Sequence, residues 1–301
     1  MPILPNTNHE VPNEIFQLLK NFSCVQNNEG YSQAIIFHCI NDDEELYLKI
    51  EKSDSDIKHE YEILKWLNGK LPVPVVKYFD EYNGYYFMLM TAIKSQRAGT
   101  YPNDDVRQPY ENIIKLLADG LILFQSVDII GSPFPISNKT EINHRKILHY
   151  IKNNTRDLNI NLQNAYYSNE NDINKFGFYG NNDISFESPM ELYDWLNQNK
   201  PQVSHTELCF THGDFGLTNT FLDDNGIAGF IDLGGGGIAD KWLDIAICIR
   251  SIWYHSRNAD EMKKYVELLF QRLSLKPDWN KINYYIWCSR LISRVNKATA
   301  V

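Results

Sequence analysis

The sequence predicts an α+β protein with a strand-rich amino-terminal part and a mostly helical carboxyl-terminal part. Up to about residue 92, short apolar runs alternate with polar turns, and only Ile57–Asn68 has clear helical spacing. From about Tyr110 the apolar residues recur at the spacing of amphipathic helices. A chain of 301 residues and 35.1 kDa suits one large or two medium domains. We therefore expect an amino-terminal lobe over 1–92 and a carboxyl-terminal lobe over 93–301.

Strands of the amino-terminal part are bounded by recognisable turns. Residues 32–40 and 46–50 are expected to pair around a polar turn, and residues 73–79 and 85–91 around Asn83-Gly84, a residue pair typical of tight hairpins. The one helix should end at Gly69, since glycine readily adopts the left-handed conformation that ends helices.

Helices of the carboxyl-terminal part are predicted over 113–127, 188–199, 243–254 and 259–273. Ser188 is a candidate N-cap, and Pro189 suits the first helical position. Residues 137–187 are rich in Asn and only partly periodic, so we expect short helices joined by loops within an insert over about 137–205.

The most informative motif runs from His212 to Asn219 and is followed by Asp232. The pattern H-x-D-x-x-x-x-N, then D-x-G, is typical of the catalytic and metal-binding loops of eukaryotic-like kinases. Phosphoryl transfer needs positioning and charge neutralisation more than covalent help. Asp214 is the candidate base, while Asn219 and Asp232 offer the oxygen ligands that Mg²⁺ prefers. A bilobal protein-kinase-like fold is therefore predicted, although a hairpin with surface Asp and Asn is the simpler alternative.

The local pattern around these residues predicts a β-hairpin. Residues 207–211 read as a strand that enters the loop, and residues 220–222 and 227–231 as two strands joined by a turn. Such a hairpin would carry Asn219 and Asp232 on neighbouring strand ends, where one cation could touch both.

Lys49 is the candidate phosphate-binding residue. It lies on a predicted strand, and alternation puts Tyr47 on the same face, where it could lie against an adenine ring. Glu60, on the following helix, is the expected ion-pair partner, as in kinases. Glu62 competes for that role but points to a different helix face. In the alternative interpretation, Lys49 is a solvated strand residue and Glu60 lies on the helix surface.

Weaker signals complete the predicted nucleotide site. Ser32 closes a segment with a single glycine, Gly30, where a phosphate-covering loop would lie, and an ordinary turn is equally compatible with it. The connection from Met90 to Ile93 could offer backbone groups of Thr91 and Ile93 to the adenine edge.

The composition of the chain limits the classes of molecule that it is expected to bind. A net charge of −9 and a pI near 5.4 disfavour nucleic acid, which selects basic surfaces, and leave a cationic small molecule possible. The five cysteines show no C-x-x-C spacing, so we expect buried free thiols and a reducing, cytoplasmic location. No apolar run is long enough to span a membrane. The sequence does not indicate an oligomeric state.

Over most of its length the chain resembles the aminoglycoside phosphotransferases, most closely the 3′-phosphotransferases of the kanamycin kinase type. The resemblance is carried by the loop motif above and by residues 46–50, 66–74, 191–196, 229–234, 239–246 and 276–279. It implies ATP and Mg²⁺ as cofactors, Asp214 as the base, Asn219 and Asp232 as magnesium ligands, Lys49 and Glu60 as the phosphate clamp, and Tyr47 stacked on adenine.

Departures from the family pattern lie on the acceptor side. The relatives carry an Arg soon after D-L-G, where this chain has Gly234 to Gly237, and we expect a flexible, charge-poor loop there. The relatives also end on an acidic pair and a terminal aromatic, where this chain reads Ser289-Arg290 and continues to Val301. The loss of the acidic pair reduces the negative charge expected around a polycationic drug.

Three functions stay open at this point. The first is an ATP-dependent kinase that acts on a hydroxyl of an aminoglycoside, as in antibiotic resistance. The second keeps this machinery but uses a macrolide, choline, a sugar or another metabolite. The third is a catalytically silent nucleotide-binding module. A protein kinase is disfavoured because five residues separate Gly234 from Asp240, too few for an activation loop. Asp240 itself is expected to cap a helix and brace the catalytic loop.

Overall fold

The computed structural model of the chain describes residues 2–5, 9–27, 34–99, 110–136 and 188–299. They form two compact units. Unit 1 comprises residues 1–98 and 218–236, and unit 2 comprises residues 99–217 and 237–301. The chain thus passes from one unit to the other three times. The functional division into a nucleotide lobe over 1–92 and an acceptor lobe over 93–301 stays a prediction.

The regular elements follow one another in the order expected of an α+β chain. The strands are β1 (Ser23–Asn27), β2 (Ile35–Ile40), β3 (Glu45–Lys52), β4 (Val76–Tyr82), β5 (Tyr85–Thr91), β6 (Gln96–Arg97), β7 (Leu208–Thr211), β8 (Thr220–Asp223), β9 (Gly226–Phe230) and β10 (Gly237–Asp240). The helices are α1 (Asn13–Leu19), α2 (Ile57–Leu67), α3 (Tyr110–Ser126), α4 (Pro189–Gln198), α5 (Trp242–His255), α6 (Ala259–Leu273) and α7 (Trp279–Thr299).

Unit 1 is built on a five-stranded antiparallel sheet in the order β1-β2-β3-β5-β4. Its buried face carries a cross-strand row in which Leu48 lies between Phe37 and Leu89. All three side chains are buried, and each contributes about 2 kcal/mol through the loss of apolar contact with water. The same strand alternation leaves Tyr47 and Lys49 on the opposite face, as predicted.

Two turns of unit 1 confirm the predictions made from residue type. Asn83 and Gly84 both have positive φ, 51° and 79°, as the tight turn between β4 and β5 requires. Gly69 has a φ of 77° directly beyond the end of α2. A second, three-stranded sheet of unit 1 has the order β6-β8-β9.

Unit 2 is mostly helical, with the two-stranded sheet β10-β7 as its β-structure among the described residues. The predicted cap of α4 is confirmed because the Ser188 hydroxyl accepts a hydrogen bond from the Glu191 amide, with Pro189 at the first turn. Helix α3 buries a stripe of apolar residues, including Leu117 and Phe124. Within the described parts of the chain, no helix is both long and apolar enough to cross a membrane.

The expectation of five free thiols is wrong for two cysteines. Cys24 and Cys39 are opposite each other in the register of β1 and β2, with Cα atoms 4.1 Å apart, and they form a disulfide. Sequence spacing could not show this, because the pairing depends on the strand register. Cys209, Cys248 and Cys288 are buried thiols outside this disulfide, and burial raises the pKa of each.

A buried charge cluster ties β10 to α7 within unit 2. One carboxylate oxygen of Asp240 accepts hydrogen bonds from Lys281 Nζ at 3.0 Å and from the Tyr285 hydroxyl at 3.1 Å. Lys281 also lies 2.9 Å from Glu207, which accepts a hydrogen bond from Trp242 Nε1. Burial acts to raise the pKa of Glu207, but hydrogen bonds from Lys281 and Ser204 outweigh it and lower that pKa to about 2.

Stability should therefore depend on Glu207 in a defined pH range. A carboxylate with a lowered pKa stabilises the fold above its unfolded value of about 4.3, and this contribution is lost as pH falls toward 2. We expect Glu207→Gln to cost about 1–2 kcal/mol at pH 7 after allowance for solvent screening. The Tm difference from the parent protein should shrink below about pH 4.

Thermal unfolding between pH 7 and pH 3 checks this expectation, with Glu267→Gln on the exposed face of α6 as the control. A Tm difference of equal size at both pH values would show that this stabilisation does not come from the charged Glu207 carboxylate.

Candidate active site

The catalytic-loop motif begins where β7 ends. His212 is fully buried and packs against the rings of Phe124 and Phe215, with ring centroids 5.5 and 6.1 Å away. Its Nδ1 lies 3.3 Å from the Asp214 amide, which donates to it. The histidine is thus a packed anchor for the loop, while the side chain of Asp214 keeps 54% of its surface exposed. This places the candidate base at the surface of unit 2.

Asp244 braces this loop, which corrects the expectation that Asp240 does so. The two carboxylate oxygens of Asp244 accept hydrogen bonds from the amides of His212, at 2.6 Å, and Gly213, at 2.9 Å. Gly213 has a φ of 84°, where a side chain would be strained. The observed bonds of Asp240 go instead to Trp242, Lys281 and Tyr285.

Replacing Asp244 by Asn should disturb the loop more than its small chemical change implies. An amide side chain has one acceptor oxygen, so one of the two loop amides loses its buried partner at a cost of about 1–3 kcal/mol. We expect a lower Tm and a fall in kcat, with a small change in the KM for nucleotide. Steady-state kinetics and thermal unfolding check this, and an Asp244→Asn enzyme with the parent kcat would contradict it.

Arg250 is a site residue that sequence reasoning missed. Its Nη2 lies 3.6 Å from Asp214 Oδ1, and its Nη1 donates to the Ser289 hydroxyl on α7. This contact places a guanidinium beside the candidate base. The spacing of Arg250 along α5 gave no signal, because the contact joins a helix to a distant loop.

The predicted magnesium ligands lie on one hairpin of unit 1. Thr220 pairs with Phe230, and the Ile231 amide donates to the Asn219 carbonyl at 3.1 Å, so Asn219 and Asp232 flank the paired strand ends. This confirms the predicted hairpin. Asp232 has a φ of 63°, a conformation that Asp tolerates better than most residues.

The chemistry of this pair fits Mg²⁺. Two hard oxygen donors are the usual protein share of a magnesium site, since phosphates and water complete the octahedron. Among the described residues no group of three or more His, Cys, Asp and Glu could hold a metal ion by itself. Asn219 and Asp232 would therefore hold Mg²⁺ together with a nucleotide, and their role stays a prediction.

The predicted ion pair between Lys49 and Glu60 is present in unit 1. Lys49 Nζ donates to Glu60 Oε2 at 2.7 Å, and both side chains are nearly buried. Asp232 Oδ1 lies 4.0 Å from the same nitrogen, which links the lysine to the hairpin. Burial alone would lower the pKa of Lys49, but the carboxylates of Glu60, Asp232 and Glu51 outweigh it and raise that pKa. The lysine therefore stays cationic, as a phosphate ligand must.

A second aromatic ring, that of His38, lies beside Tyr47 on the same face of the sheet. The His38 ring stacks on it with centroids 4.6 Å apart and planes 12° apart, and His38 Nε2 lies 2.7 Å from Glu45. One face of Tyr47 is thus covered by this histidine. Adenine stacking on Tyr47 stays a prediction and would use the other face.

The other predicted nucleotide contacts are less defined. The Thr91 amide donates to the Val75 carbonyl, and the Ile93 carbonyl accepts from Ser95, so adenine would have to use other backbone groups of this segment. Both residues stay predicted contacts. Ser32 lies outside the described residues.

The glycine run after Asp232, for which we expected a flexible, charge-poor loop, has regular structure over most of its length. Gly234 and Gly235 belong to a short 3₁₀ turn, and Gly237 begins β10. The Gly236 carbonyl lies 2.9 Å from His59 Nε2 on α2. The run nevertheless supplies no charged side chain after the metal-binding residue.

Comparison with known proteins identifies the family of the chain. A model of the phosphotransferase enzyme family matches residues 23–283. An aminoglycoside 3′-phosphotransferase from Enterococcus faecalis is 37% identical, with 92% of this chain and 97% of the relative covered. One from Staphylococcus aureus is 36% identical at the same coverage.

Solved structures agree at the level of the fold. Aminoglycoside phosphotransferase APH(3″)-Id from Streptomyces rimosus, in complex with ADP and streptomycin, matches with a TM-score of 0.66 and 17% identity, covering 94% of this chain and 99% of that chain. The predicted kinase-like α+β fold class and the predicted resemblance are both confirmed. The chain therefore belongs to the phosphotransferase enzyme family, among the aminoglycoside phosphotransferases.

Proposed function

We propose that this phosphotransferase moves the terminal phosphoryl group of ATP to the 3′-hydroxyl of an aminoglycoside, in the presence of Mg²⁺. The observation that carries the proposal is the arrangement in unit 1, where Lys49, clamped by Glu60, approaches Asp232 to 4.0 Å. The two relatives above, named for 3′-phosphorylation of aminoglycosides, support this acceptor and position.

The residues divide the work by their chemistry. Lys49 binds phosphate oxygens, and Glu60 holds it in place. Asp214, beside the Arg250 guanidinium, accepts the proton of the acceptor hydroxyl as that oxygen bonds to phosphorus and ADP leaves. Mg²⁺ on Asn219 and Asp232 would neutralise charge on the transferred group. A cytoplasmic location, where ATP is available, belongs to the same proposal.

A panel of acceptors tests the proposal. ADP release should depend on both Mg²⁺ and an aminoglycoside with a free 3′-hydroxyl, such as kanamycin. It should stay at the background level with a 3′-deoxy aminoglycoside. Equal release from both compounds would overturn the 3′ position, and release from neither would overturn the acceptor class.

The glycine run favours a second candidate, a kinase of another small-molecule hydroxyl. Residues 234–237 place no charged side chain after Asp232, where the family pattern has an Arg. The same assay with macrolides, choline and sugars decides between the two. Turnover with one of these, and none with an aminoglycoside, would favour this candidate.

A further inference from the structure

Besides Glu60 and Asp232, Lys49 has a third carboxylate neighbour, to which the proposed function assigns no role. Glu51 lies two residues further along β3, and therefore on the same sheet face. Its Oε1 is 3.2 Å from Lys49 Nζ, and the side chain keeps only 16% of its surface exposed. The strand neighbours of Lys49 on β2 and β5 are Ile36 and Met88, which carry no charge.

The two glutamates hold the lysine differently. Glu60 is the closer partner, at 2.7 Å with hydrogen-bond geometry, and its side chain is almost completely buried. Glu51 approaches at ion-pair distance and is the more exposed of the two. Glu60 is therefore a fixed clamp, whereas Glu51 can be exchanged for another anion at lower cost.

We propose that Glu51 competes with nucleotide phosphate for the Lys49 ammonium group and so lowers the affinity of the enzyme for magnesium nucleotide. This inference rests on the proposed function, in which Lys49 binds phosphate. An ammonium group has three N–H donors, and each one directed to Glu51 is lost to phosphate. A carboxylate at this distance also repels the negatively charged phosphates.

Weaker nucleotide binding has a use in catalysis. Uniformly tight binding of ATP and ADP does not raise kcat, and product release often limits turnover in kinases and other enzymes with closing loops. A competing carboxylate beside the phosphate-binding lysine would speed ADP release. Glu51 is thus a residue that sets nucleotide affinity, whereas Glu60 positions the lysine.

Three variants separate this role from general charge effects. Glu51→Gln removes the charge at nearly constant shape. Glu51→Asp keeps the charge. Glu44→Gln removes the same charge from an exposed ion pair with Lys77 in the same unit. The readouts are the Kd for MgADP by calorimetry, which needs no acceptor, and the KM for MgATP beside the KM for the acceptor.

Glu51→Gln should bind MgADP about three- to tenfold more tightly, the scale of a partly screened charge pair. Its KM for MgATP should fall similarly, while the acceptor KM stays unchanged. For Glu51→Asp and Glu44→Gln, the Kd for MgADP should stay within about twofold of the parent value, because screening weakens exposed charges. Unchanged or weaker MgADP binding by Glu51→Gln would overturn the inference. An equal increase in MgADP affinity in Glu44→Gln would also overturn it. Failure of the parent protein to bind MgADP would instead overturn the proposed function.

Discussion

Asp214→Asn should reduce kcat for phosphoryl transfer by about 10²- to 10⁴-fold, the usual contribution of a general base. The amide cannot accept the hydroxyl proton as a carboxylate does, yet it keeps the shape of the side chain. Because the Asp214 side chain is half exposed, we expect no loss of Tm. The Kd for MgADP should also stay unchanged, since the predicted nucleotide ligands Lys49, Asn219 and Asp232 are intact.

Kinetics at saturating ATP and acceptor provide the measurement, with Asp260→Asn in the exposed first turn of α6 as the matched control. The control should retain the parent kcat. An Asp214→Asn enzyme with more than about a tenth of the parent kcat would exclude Asp214 as the base, because even a modest general base contributes more.

Lys49→Met should impair both the fold and the reaction. It leaves the Glu60 carboxylate buried without its cation, and breaking such a pair costs about 3–5 kcal/mol. It also removes the phosphate ligand, so kcat/KM for ATP should fall strongly. In one purified variant, the Tm measures the loss of stability and kcat/KM for ATP measures the loss of activity.

A double variant separates stability from chemistry. In Lys49→Met/Glu60→Leu the charge pair is replaced by apolar side chains, a change that is often neutral or stabilising for a buried pair. The Tm should recover toward the parent value while phosphoryl transfer stays lost. Recovery of activity together with stability would show that Lys49 acts only through the fold.

Local patterns predicted the parts of the site that lie close together in sequence. The hairpin between Asn219 and Asp232 followed from a turn and alternating apolar residues, and the pairing of Lys49 with Glu60 from a strand followed by a helix. Helix α1 was missed because its seven residues are too few for a periodic signal. Helix α7 was missed because residues 281–286 are buried in an unbroken run, which hides helical spacing.

Contacts between distant segments could not be predicted in the same way. Asp244 rather than Asp240 braces the catalytic loop, and both stand near the start of one helix, so only the packing of α5 distinguishes them. Arg250 and Asp214 are 36 residues apart in sequence, and their contact also depends on the packing of α5. The disulfide between Cys24 and Cys39 depends on the register of two strands.

The position of the transferred phosphate tests the central claim most directly. Purified enzyme, MgATP and kanamycin should give one product with a single added phosphate, and NMR spectroscopy of that product should place it on the 3′-oxygen. Asp214→Asn should give none of it in the same time. Unmodified kanamycin after prolonged incubation with the parent enzyme, or phosphate on a different oxygen, would contradict the proposed function.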